Sequence, residues 1–159
     1  YDFSKIKILI TDVDGVLTDA GMYYSESGDE LKKFNTRDGM GIVLLKEEFS
    51  IPTAIITRER TEIVARRAKK LKIECCFQGV TDKIDTFNKL LTSLKIKPEN
   101  AAYVGDDVND LGVLKKCGFS FCPSDAEDEI KDLFLHDAAG LFCAGCQQAL
   151  PLETFHDTP

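Results

Sequence analysis

Between residues 8 and 17 the chain reads Ile8-Leu9-Ile10-Thr11-Asp12-Val13-Asp14-Gly15-Val16-Leu17. An apolar run typical of a buried strand leads directly into two carboxylates one residue apart, and a glycine then favours a turn. Parallel α/β sheets bind their ligands at the carboxyl ends of strands, so we expect chemistry at Asp12 and Asp14. Two like charges this close are unfavourable unless a cation or a shared proton offsets them. The stretch therefore predicts a metal-assisted reaction at a carboxylate.

The 159-residue chain predicts one domain over residues 1–159, with hydrophobic (43%) and charged (30%) fractions that are ordinary for a soluble globular protein. Its net charge of −7 disfavours nucleic acid or an anionic membrane as the main partner. A small phosphorylated substrate stays compatible with this charge when a divalent ion is bound. No apolar run is long enough to span a bilayer and the N-terminus lacks signal-peptide features, so we expect a cytoplasmic protein.

The six cysteines leave three interpretations open. Two are adjacent, two flank a strand-like segment and two form a C-x-x-C pattern: Cys75, Cys76, Cys117, Cys122, Cys143 and Cys146. The last four have tolerable spacing for a zinc site, and Cys143 with Cys146 could act as a redox pair. Reduced thiols that pack as small hydrophobic residues are the interpretation expected for a cytosolic protein.

Strand-like and helix-like patterns alternate along the chain, which predicts an α/β fold: a doubly wound, Rossmann-like parallel sheet covered by helices. A β-hairpin insertion is expected at about 19–35, where segments 22–25 and 31–35 flank a short connection. Strands are predicted at 5–11, 53–57, 75–78, 101–105 and 119–122, and helices at 41–49, 61–71, from residue 83 onward and near 110–116. An irregular tail is expected from about 135 to 159, with residues 150–159 mobile.

Polar residues stand at the predicted strand ends in a fixed order. They are Asp12 and Asp14, then Thr57, then Lys83, and finally Asp106, Asp107 and Asp110. Each alone could simply end a strand or cap a helix, but a doubly wound sheet brings these ends to one crevice. A carboxylate is a competent nucleophile toward phosphorus, Mg²⁺ prefers oxygen ligands, and a hydroxyl and an ammonium can hold phosphoryl oxygens. The set therefore predicts phosphoryl transfer with Mg²⁺.

Three other motifs with related composition do not fit. Gly15 is fourth from Asp12 and follows a strand, whereas the EF-hand glycine is sixth in a loop that follows a helix. The chain has no G-x-x-x-x-G-K-[ST], which disfavours a nucleotide-driven kinase. A phospho-receiver domain has its phosphorylated Asp before its Thr and Lys, whereas here Thr57 and Lys83 precede the second acidic group.

Four segments carry a resemblance to a known family. They are Asp12-Val-Asp14-Gly-Val-Leu-Thr18, Thr57, Lys83, and Gly105-Asp106-Asp107-Val-Asn-Asp110. In this order, and over roughly residues 5–125, the chain resembles the haloacid dehalogenase superfamily of phosphatases. The resemblance implies that Asp12 is the nucleophile, while Asp14 protonates the leaving group and then activates water. It also implies that Thr57 and Lys83 hold the phosphoryl group.

The same resemblance implies a magnesium site. Asp106 would ligate Mg²⁺ together with Asp12 and the backbone carbonyl of Asp14. Asp110, with Asp107 beside it, would support the ligands or assist Lys83.

The gaps between these segments are too short for a large cap domain. The chain therefore resembles the capless group of 3-deoxy-D-manno-octulosonate 8-phosphate (KDO-8-phosphate) phosphatases, to which segments 33–41 and 77–83 are also similar. Within the first of these segments, Arg37 and Asp38 are expected to contact substrate. Members of the group form tetramers whose hairpins cover a neighbour's active site, which implies a homotetramer that excludes water in the same way.

The chain departs from that group at two places. It reads Thr57-Arg58-Glu59 where the group usually reads Thr-Gly-Arg, and Glu59 with Lys70 resembles relatives that act on 2-keto-3-deoxy-nonulosonate 9-phosphate (KDN-9-phosphate). Glu59 would then accept sugar hydroxyls while Lys70 or Arg67 meets the substrate carboxylate, or else Glu59 simply begins a solvated helix. Residues 138–146 replace the group's glycine-rich tail, so the identity of the substrate stays open.

The function expected from this resemblance is that of a cytoplasmic, Mg²⁺-dependent phosphomonoesterase. It would hydrolyse KDO-8-phosphate or KDN-9-phosphate through an aspartyl-phosphate, and its product would feed surface-glycan (lipopolysaccharide) synthesis. Two alternatives are a broad-specificity small-molecule phosphatase and a non-catalytic oligomerisation domain like those fused to sugar-nucleotide synthetases. The complete set Asp12, Asp14, Lys83 and Asp106 distinguishes the chain from the last of these.

Overall fold

A computed structural model describes residues 2–136 and 141–144, with side chains as far as residue 133. The strands are β1 (Ile8–Thr11), β2 (Tyr23–Tyr24), β3 (Glu30–Leu31), β4 (Thr53–Ile56), β5 (Cys75–Phe77), β6 (Ala101–Val104), β7 (Phe119–Pro123) and β8 (Leu141–Ala144). The helices are α1 (Thr36–Phe49), α2 (Glu62–Lys70), α3 (Lys83–Leu94), α4 (Leu111–Leu114) and α5 (Asp128–His136). Short 3₁₀ turns occupy Phe3–Lys5, Pro98–Asn100 and Val108–Asp110.

Six strands form one parallel sheet in the order β5-β4-β1-β6-β7-β8. Strand β1 pairs with β4 on one side and β6 on the other, so the chain winds outward from β1 in both directions. This order confirms the predicted doubly wound, Rossmann-like sheet. Ligands bind such sheets where the winding direction reverses, which places the expected crevice at the carboxyl ends of β1 and β6.

Helices cover both faces of the sheet, so the central strands are buried at nearly every position. On β4, Ala54 and Ile56 face one apolar cluster while Ile55 faces the other. Helices α3, α4 and α5 supply the first cluster through residues such as Phe87, and helices α1 and α2 supply the second. The two cores fix the strand ends that carry the polar residues.

The predicted hairpin is present, with shorter strands than expected. Tyr23 pairs with Leu31 and Tyr24 pairs with Glu30, and a bridge between Thr18 and Phe34 closes the base. Exposure of the apolar residues is high, at 66% for Tyr24 and 61% for Leu31. Its use in oligomerisation stays a prediction.

Helix α1 begins at Thr36, five residues before the predicted start at residue 41. The side chain of Asn35 accepts a hydrogen bond from the Arg37 N–H and caps the first turn. Gly39 and Gly41 lie within the first two turns of α1, and glycine is a poor helix former, so the periodic pattern is clear only beyond them.

The prediction of an irregular tail from residue 135 is wrong over part of that range. Helix α5 extends to His136, and β8 pairs in parallel with β7 along Leu141–Ala144. A four-residue edge strand is too short for its apolar pattern to be distinguished from an irregular segment.

The cysteine interpretations are only partly covered by the described residues. Cys75, Cys76 and Cys117 are free thiols, and Cys122 is buried in the first apolar cluster. Cys143 belongs to β8, while Cys146 and the stretch 150–159 that was predicted to be mobile lie outside the described residues. Within the described ranges, none of the helices has the length and apolar character needed to cross a bilayer.

Candidate active site

The turn after β1 holds two carboxylates at the switch point of the sheet. The Asp12 N–H donates to the Val104 carbonyl at 3.0 Å, which ties the end of β1 to β6. The carbonyl of Val13 accepts backbone hydrogen bonds from the following residues and closes a tight turn. Gly15 lies in this turn at φ +86°, and a Cβ there would overlap Asp106 Oδ2. Glycine therefore allows the β1 and β6 loops to approach closely.

Lys83 connects the loop after β1 with the loop after β6. Its Nζ lies 2.9 Å from Asp12 Oδ2 and 2.7 Å from Asp110 Oδ1, and all three side chains are buried. Tyr103 donates its hydroxyl to the same Asp110 oxygen at 2.5 Å. The backbone N–H groups of Asp106 and Asp107 donate to Asp110 Oδ2. The network holds a cation against Asp12 and uses both oxygens of Asp110.

Burial and mutual repulsion make two carboxyls unusually hard to ionise. Burial raises the pKa of Asp12, although the nearby Lys83 ammonium opposes this shift. Burial, together with the charges of Asp12, Asp110 and Asp107, raises the pKa of Asp106 to about 7. A bound cation would offset this repulsion directly.

The free carboxylate oxygens fit a divalent metal ion. Ligand atoms of Asp12, Asp106 and Asp110 lie within 4.8 Å of one another. Asp110 has both oxygens engaged, whereas Asp12 Oδ1 and Asp106 Oδ1 are buried without any hydrogen-bond partner among the described residues. Burying a carboxylate oxygen without a partner lowers the stability of the fold. Mg²⁺ is typically bound by oxygen atoms from one or two carboxylates. Asp12 and Asp106 are therefore the residues that fit as metal ligands. Asp110 instead holds Lys83 and the loop after β6 in place.

Asp14 lies on the other side of the turn and contacts a residue of the hairpin. Lys32 Nζ donates to Asp14 Oδ1 at 2.6 Å and to Glu59 Oε2 at 2.8 Å. The other oxygen of Asp14, Oδ2, is buried and has no partner in the described part of the chain. Hydrogen bonds to these two carboxylates outweigh the burial of Lys32, which acts in the opposite direction, and raise the pKa of its ammonium.

A cavity of about 310 Å³ opens above these groups. Thr57 reaches it from the end of β4, where its N–H donates to the Phe77 carbonyl and its own carbonyl accepts from Val80 N–H. The lining residues are Asp12, Asp14, Ala20, Met22, Thr57, Arg58, Glu59, Asp106, Asp107, Asn109, Asp125 and Glu127. The Asp14 carboxylate, the Thr57 residue and the two carboxylates that fit a cation thus line the same cavity.

Comparison with known proteins identifies the family. Residues 53–136 match the haloacid dehalogenase-like hydrolases. The 3-deoxy-D-manno-octulosonate 8-phosphate phosphatase of Salmonella typhi is 43% identical over 139 residues, which cover 86% of this chain and 73% of that protein. The chain belongs to the haloacid dehalogenase-like hydrolases. Within this family it is similar to the KDO-8-phosphate phosphatases.

Further relatives of this hydrolase agree in sequence and in fold. The phosphatase of the same name from Escherichia coli K12 is 46% identical over 122 residues, 77% of this chain and 64% of that protein. The crystal structure of the Yersinia pestis phosphatase has a TM-score of 0.80 at 39% identity and covers 89% of this chain and 74% of that one. The phosphatase of Moraxella catarrhalis, solved with magnesium, phosphate and KDO, has a TM-score of 0.79 at 33% identity, covering 89% and 78%.

The hydrolase does not bring all expected substrate residues to the cavity. Arg67 stacks its guanidinium over Phe34 and donates to the Asn35 carbonyl, so it clamps the start of α1. Lys70 lies on the last turn of α2, a helix that begins near the carboxyl edge of the sheet and runs away from it. Neither residue lines this cavity, and the expectation that one of them meets a substrate carboxylate stays a prediction.

Two more expected residues also lie outside the cavity lining. Arg37 is exposed on the first turn of α1. Asp38 lines neighbouring cavities, and burial raises its pKa although Arg67 opposes the shift. Of the expected substrate-binding set, only Glu59 lines the cavity of the hydrolase.

Sequence reasoning missed several residues of the site. Lys32 and Arg58 were not assigned, because a lysine after a short strand and an arginine in a loop carry no distinguishing pattern. Tyr103 was read only as a strand residue, although its hydroxyl reaches Asp110. Asn109, which donates to Asp107 and keeps a buried free Oδ1, stood unassigned within the acidic segment.

Proposed function

We propose that this protein is a Mg²⁺-dependent phosphomonoesterase that acts on a 2-keto-3-deoxy sugar acid phosphate, with KDO-8-phosphate as the first candidate. One observation carries the proposal: the carboxylates of Asp12 and Asp106 converge beside Lys83 at the switch point of the sheet, and each keeps a buried oxygen without a partner among the described residues. Mg²⁺ is the cofactor that fits these oxygens. The Moraxella catarrhalis relative, solved with magnesium, phosphate and KDO, supports the same assignment.

Asp12 acts as the nucleophile in the first half of the reaction. A carboxylate oxygen of Asp12 bonds to phosphorus while the bond from phosphorus to the sugar oxygen breaks, and this forms an aspartyl-phosphate. Asp14, whose Oδ2 is free, gives a proton to the departing sugar oxygen. Thr57 and Lys83 hold the phosphoryl oxygens as negative charge develops on them. When bound, Mg²⁺ neutralises part of that charge.

Asp14 acts as the base in the second half. It takes a proton from a water molecule, the water oxygen bonds to phosphorus, and the bond from phosphorus to Asp12 breaks. Phosphate leaves, Asp12 is again a carboxylate, and Asp14 again carries the proton that it donates in the first half. Asp110 keeps Lys83 in place throughout, because it binds the ammonium, and Tyr103 holds Asp110 by donating its hydroxyl to the same carboxylate oxygen.

Arg58 is the residue that we assign to the carboxylate of the substrate. It lines the cavity, is exposed, and has no ion pair or hydrogen bond with its guanidinium within the described residues. Two lysines also lie near the cavity, but Lys32 and Lys83 are each shared between two carboxylates. An arginine can bind a carboxylate with two hydrogen bonds, so a free one at the cavity mouth suits a sugar acid.

KDN-9-phosphate is the second candidate substrate. The observation that favours it is the position of Glu59, whose carboxylate lines the cavity and can accept hydroxyls of a longer sugar chain. The proposed protein is a cytoplasmic homotetramer, since the substrate is a small water-soluble phosphate and the hairpin exposes apolar residues.

The test is the rate of phosphate release from KDO-8-phosphate, KDN-9-phosphate and p-nitrophenyl phosphate, with and without Mg²⁺. One sugar acid phosphate should give the highest kcat/KM, and Arg58→Ala should lower that value by about tenfold or more, as expected for a lost charged hydrogen bond. The exposed Arg60 lies outside the cavity lining, so Arg60→Ala is the matched control and should have little effect. Equal kcat/KM for all esters would indicate a broad phosphatase, and no release from any would indicate a non-catalytic domain.

A further inference from the structure

Lys32 is the most enclosed cation that the proposed reaction leaves without a role. It follows β3 of an exposed hairpin, yet its side chain is only 2% exposed. Its Nζ lies between Asp14 Oδ1 and Glu59 Oε2, at 2.6 and 2.8 Å. Three segments distant in the sequence therefore meet at one ammonium: the turn after β1, the hairpin and the loop after β4.

The contact distinguishes the two oxygens of Asp14. Oδ1 accepts from Lys32 and also from the Thr18 hydroxyl, at 3.4 Å. Oδ2 is buried and unpartnered within the described residues, and the residue lines the cavity. A carboxyl that is held by one oxygen presents the other in a fixed direction. We propose that Lys32 is a positioning residue that holds Asp14 Oδ1 so that Oδ2 exchanges the proton with the leaving oxygen and with water.

This inference rests on the proposed function, because it assigns a role within that reaction. Without the ammonium, the carboxylates of Asp14 and Glu59 would lie close together with no cation between them, and their repulsion would turn Asp14 away. Loss of orientation at a proton donor reduces the rate without removing the nucleophile, since Lys83 holds Asp12 independently. Removal of the Lys32 ammonium should therefore slow the reaction most for substrates whose leaving group must be protonated.

Leaving groups of different basicity separate this role from a structural one. p-Nitrophenolate is weakly basic and leaves without a proton, whereas benzyl phosphate and KDO-8-phosphate release an alkoxide that needs one. The quantity to compare is kcat/KM, which reports only the steps up to formation of the aspartyl-phosphate. Lys32→Met should lower kcat/KM for both alkyl esters by about tenfold or more beyond its effect on p-nitrophenyl phosphate, a part of the 10²–10⁴ that general acids contribute.

Matched variants complete the experiment. Lys33→Met removes the same charge from the neighbouring residue, which is 73% exposed and pairs with Asp19, and should leave the ratio between the esters unchanged. Lys32→Arg should restore most of the ratio, because it returns a cation to both carboxylates. In an Asp14→Asn background, Lys32→Met should cause no further change in the ratio.

Two results would overturn the inference. One is an equal loss for alkyl and aryl esters, which would mean that Lys32 only supports the fold; the other is no loss at all. If Lys32→Met does not fold, Lys32→Gln replaces it in the experiment, because glutamine keeps a hydrogen-bond donor and much of the side-chain volume. Failure of the proposed function would be recognised separately, because the unmodified protein would then hydrolyse all the esters equally well or none of them.

Discussion

At the scale of single residues, Asp106 links the proton and the metal ion. Burial and three neighbouring carboxyls raise its pKa from an ordinary 3.8 to about 7. The folded protein therefore binds this proton more tightly than the unfolded chain does. Between these two pKa values, rising pH removes the proton at a cost to the fold, so the contribution of Asp106 to stability decreases from about pH 4 to about pH 7.

The first prediction is that Mg²⁺ stabilises the protein more as the pH rises. Metal and proton compete for Asp106, so the increase in Tm caused by a fixed Mg²⁺ concentration should be larger near pH 8 than near pH 6. Thermal unfolding followed by circular dichroism measures this. Asp106→Asn should abolish the pH dependence, while Asp128→Asn, an exposed residue paired with Lys131, should retain it. A Mg²⁺ effect that is independent of pH, or larger at the lower pH, would contradict this account.

Single residues also show which parts of the site could be predicted. Asp12, Thr57 and Asp106 each follow a strand, and a strand pattern is readable in the sequence, so their convergence followed from the fold. Arg58 lines the cavity and Lys32 contacts two of its lining carboxylates, and both lie in irregular segments whose paths no periodicity reveals. Lys70 was expected to meet substrate from the resemblance alone; it lies on the last turn of α2 and is not among the residues that line the cavity.

At the scale of elements, helix α3 positions its own first residue, Lys83, in the site. Asp82 caps the helix, and its side chain accepts a hydrogen bond from the Asp85 N–H at 3.0 Å. The cap stops the first turn from fraying, and this turn carries the ammonium that joins Asp12 to Asp110. A local sequence signal, an acidic residue before an amphipathic helix, thus supports a tertiary contact.

The second prediction is that Asp82→Ala lowers the free energy of unfolding by about 1 kcal/mol, the usual cost of a lost N-cap. Asp82→Asn should lose much less, because asparagine is an equally good cap. Urea unfolding of both variants provides the measurement. Equal destabilisation by alanine and asparagine would show that the charge of Asp82, rather than its cap, is what matters.

Elements differed in how well the sequence predicted them. Helix α2 was predicted to within a residue of each end because Thr61 caps it and its apolar face is regular. The start of α1 was missed because Gly39 and Gly41 weaken the helical pattern there, while tertiary packing overrides their low propensity. Strand β8 was missed because pairing with β7, a long-range contact, makes it a strand.

At the scale of the whole molecule, the hairpin is the feature that the sheet does not explain. It stands apart as a two-stranded ribbon, and isolated ribbons of this kind are only marginally stable in water. Tyr24 and Leu31 expose more than half of their surface. Contacts with other copies of the chain would cover these residues and stabilise the ribbon, and the ribbon leads directly to Lys32.

The third prediction is that the protein is a tetramer held together by this hairpin. Light scattering after size-exclusion chromatography should give four times the mass of the chain, and Leu31→Lys combined with Tyr24→Lys should reduce it to smaller species. Leu94→Lys, at a partly exposed apolar residue on α3, is the control and should leave the mass unchanged. A monomeric unmodified protein, or a tetramer that survives the hairpin substitutions, would refute this role of the hairpin.

The most direct test of the account as a whole is phosphate release from KDO-8-phosphate by the unmodified protein and by Asp12→Asn. The nucleophile proposal predicts Mg²⁺-dependent release that chelation by EDTA abolishes and that Asp12→Asn reduces by at least about 10³-fold, as expected when a nucleophile is removed. The variant should keep the native circular dichroism spectrum, because asparagine has nearly the same shape as aspartate. Substantial turnover by a folded Asp12→Asn protein, or equal turnover with and without Mg²⁺, would contradict the proposed mechanism.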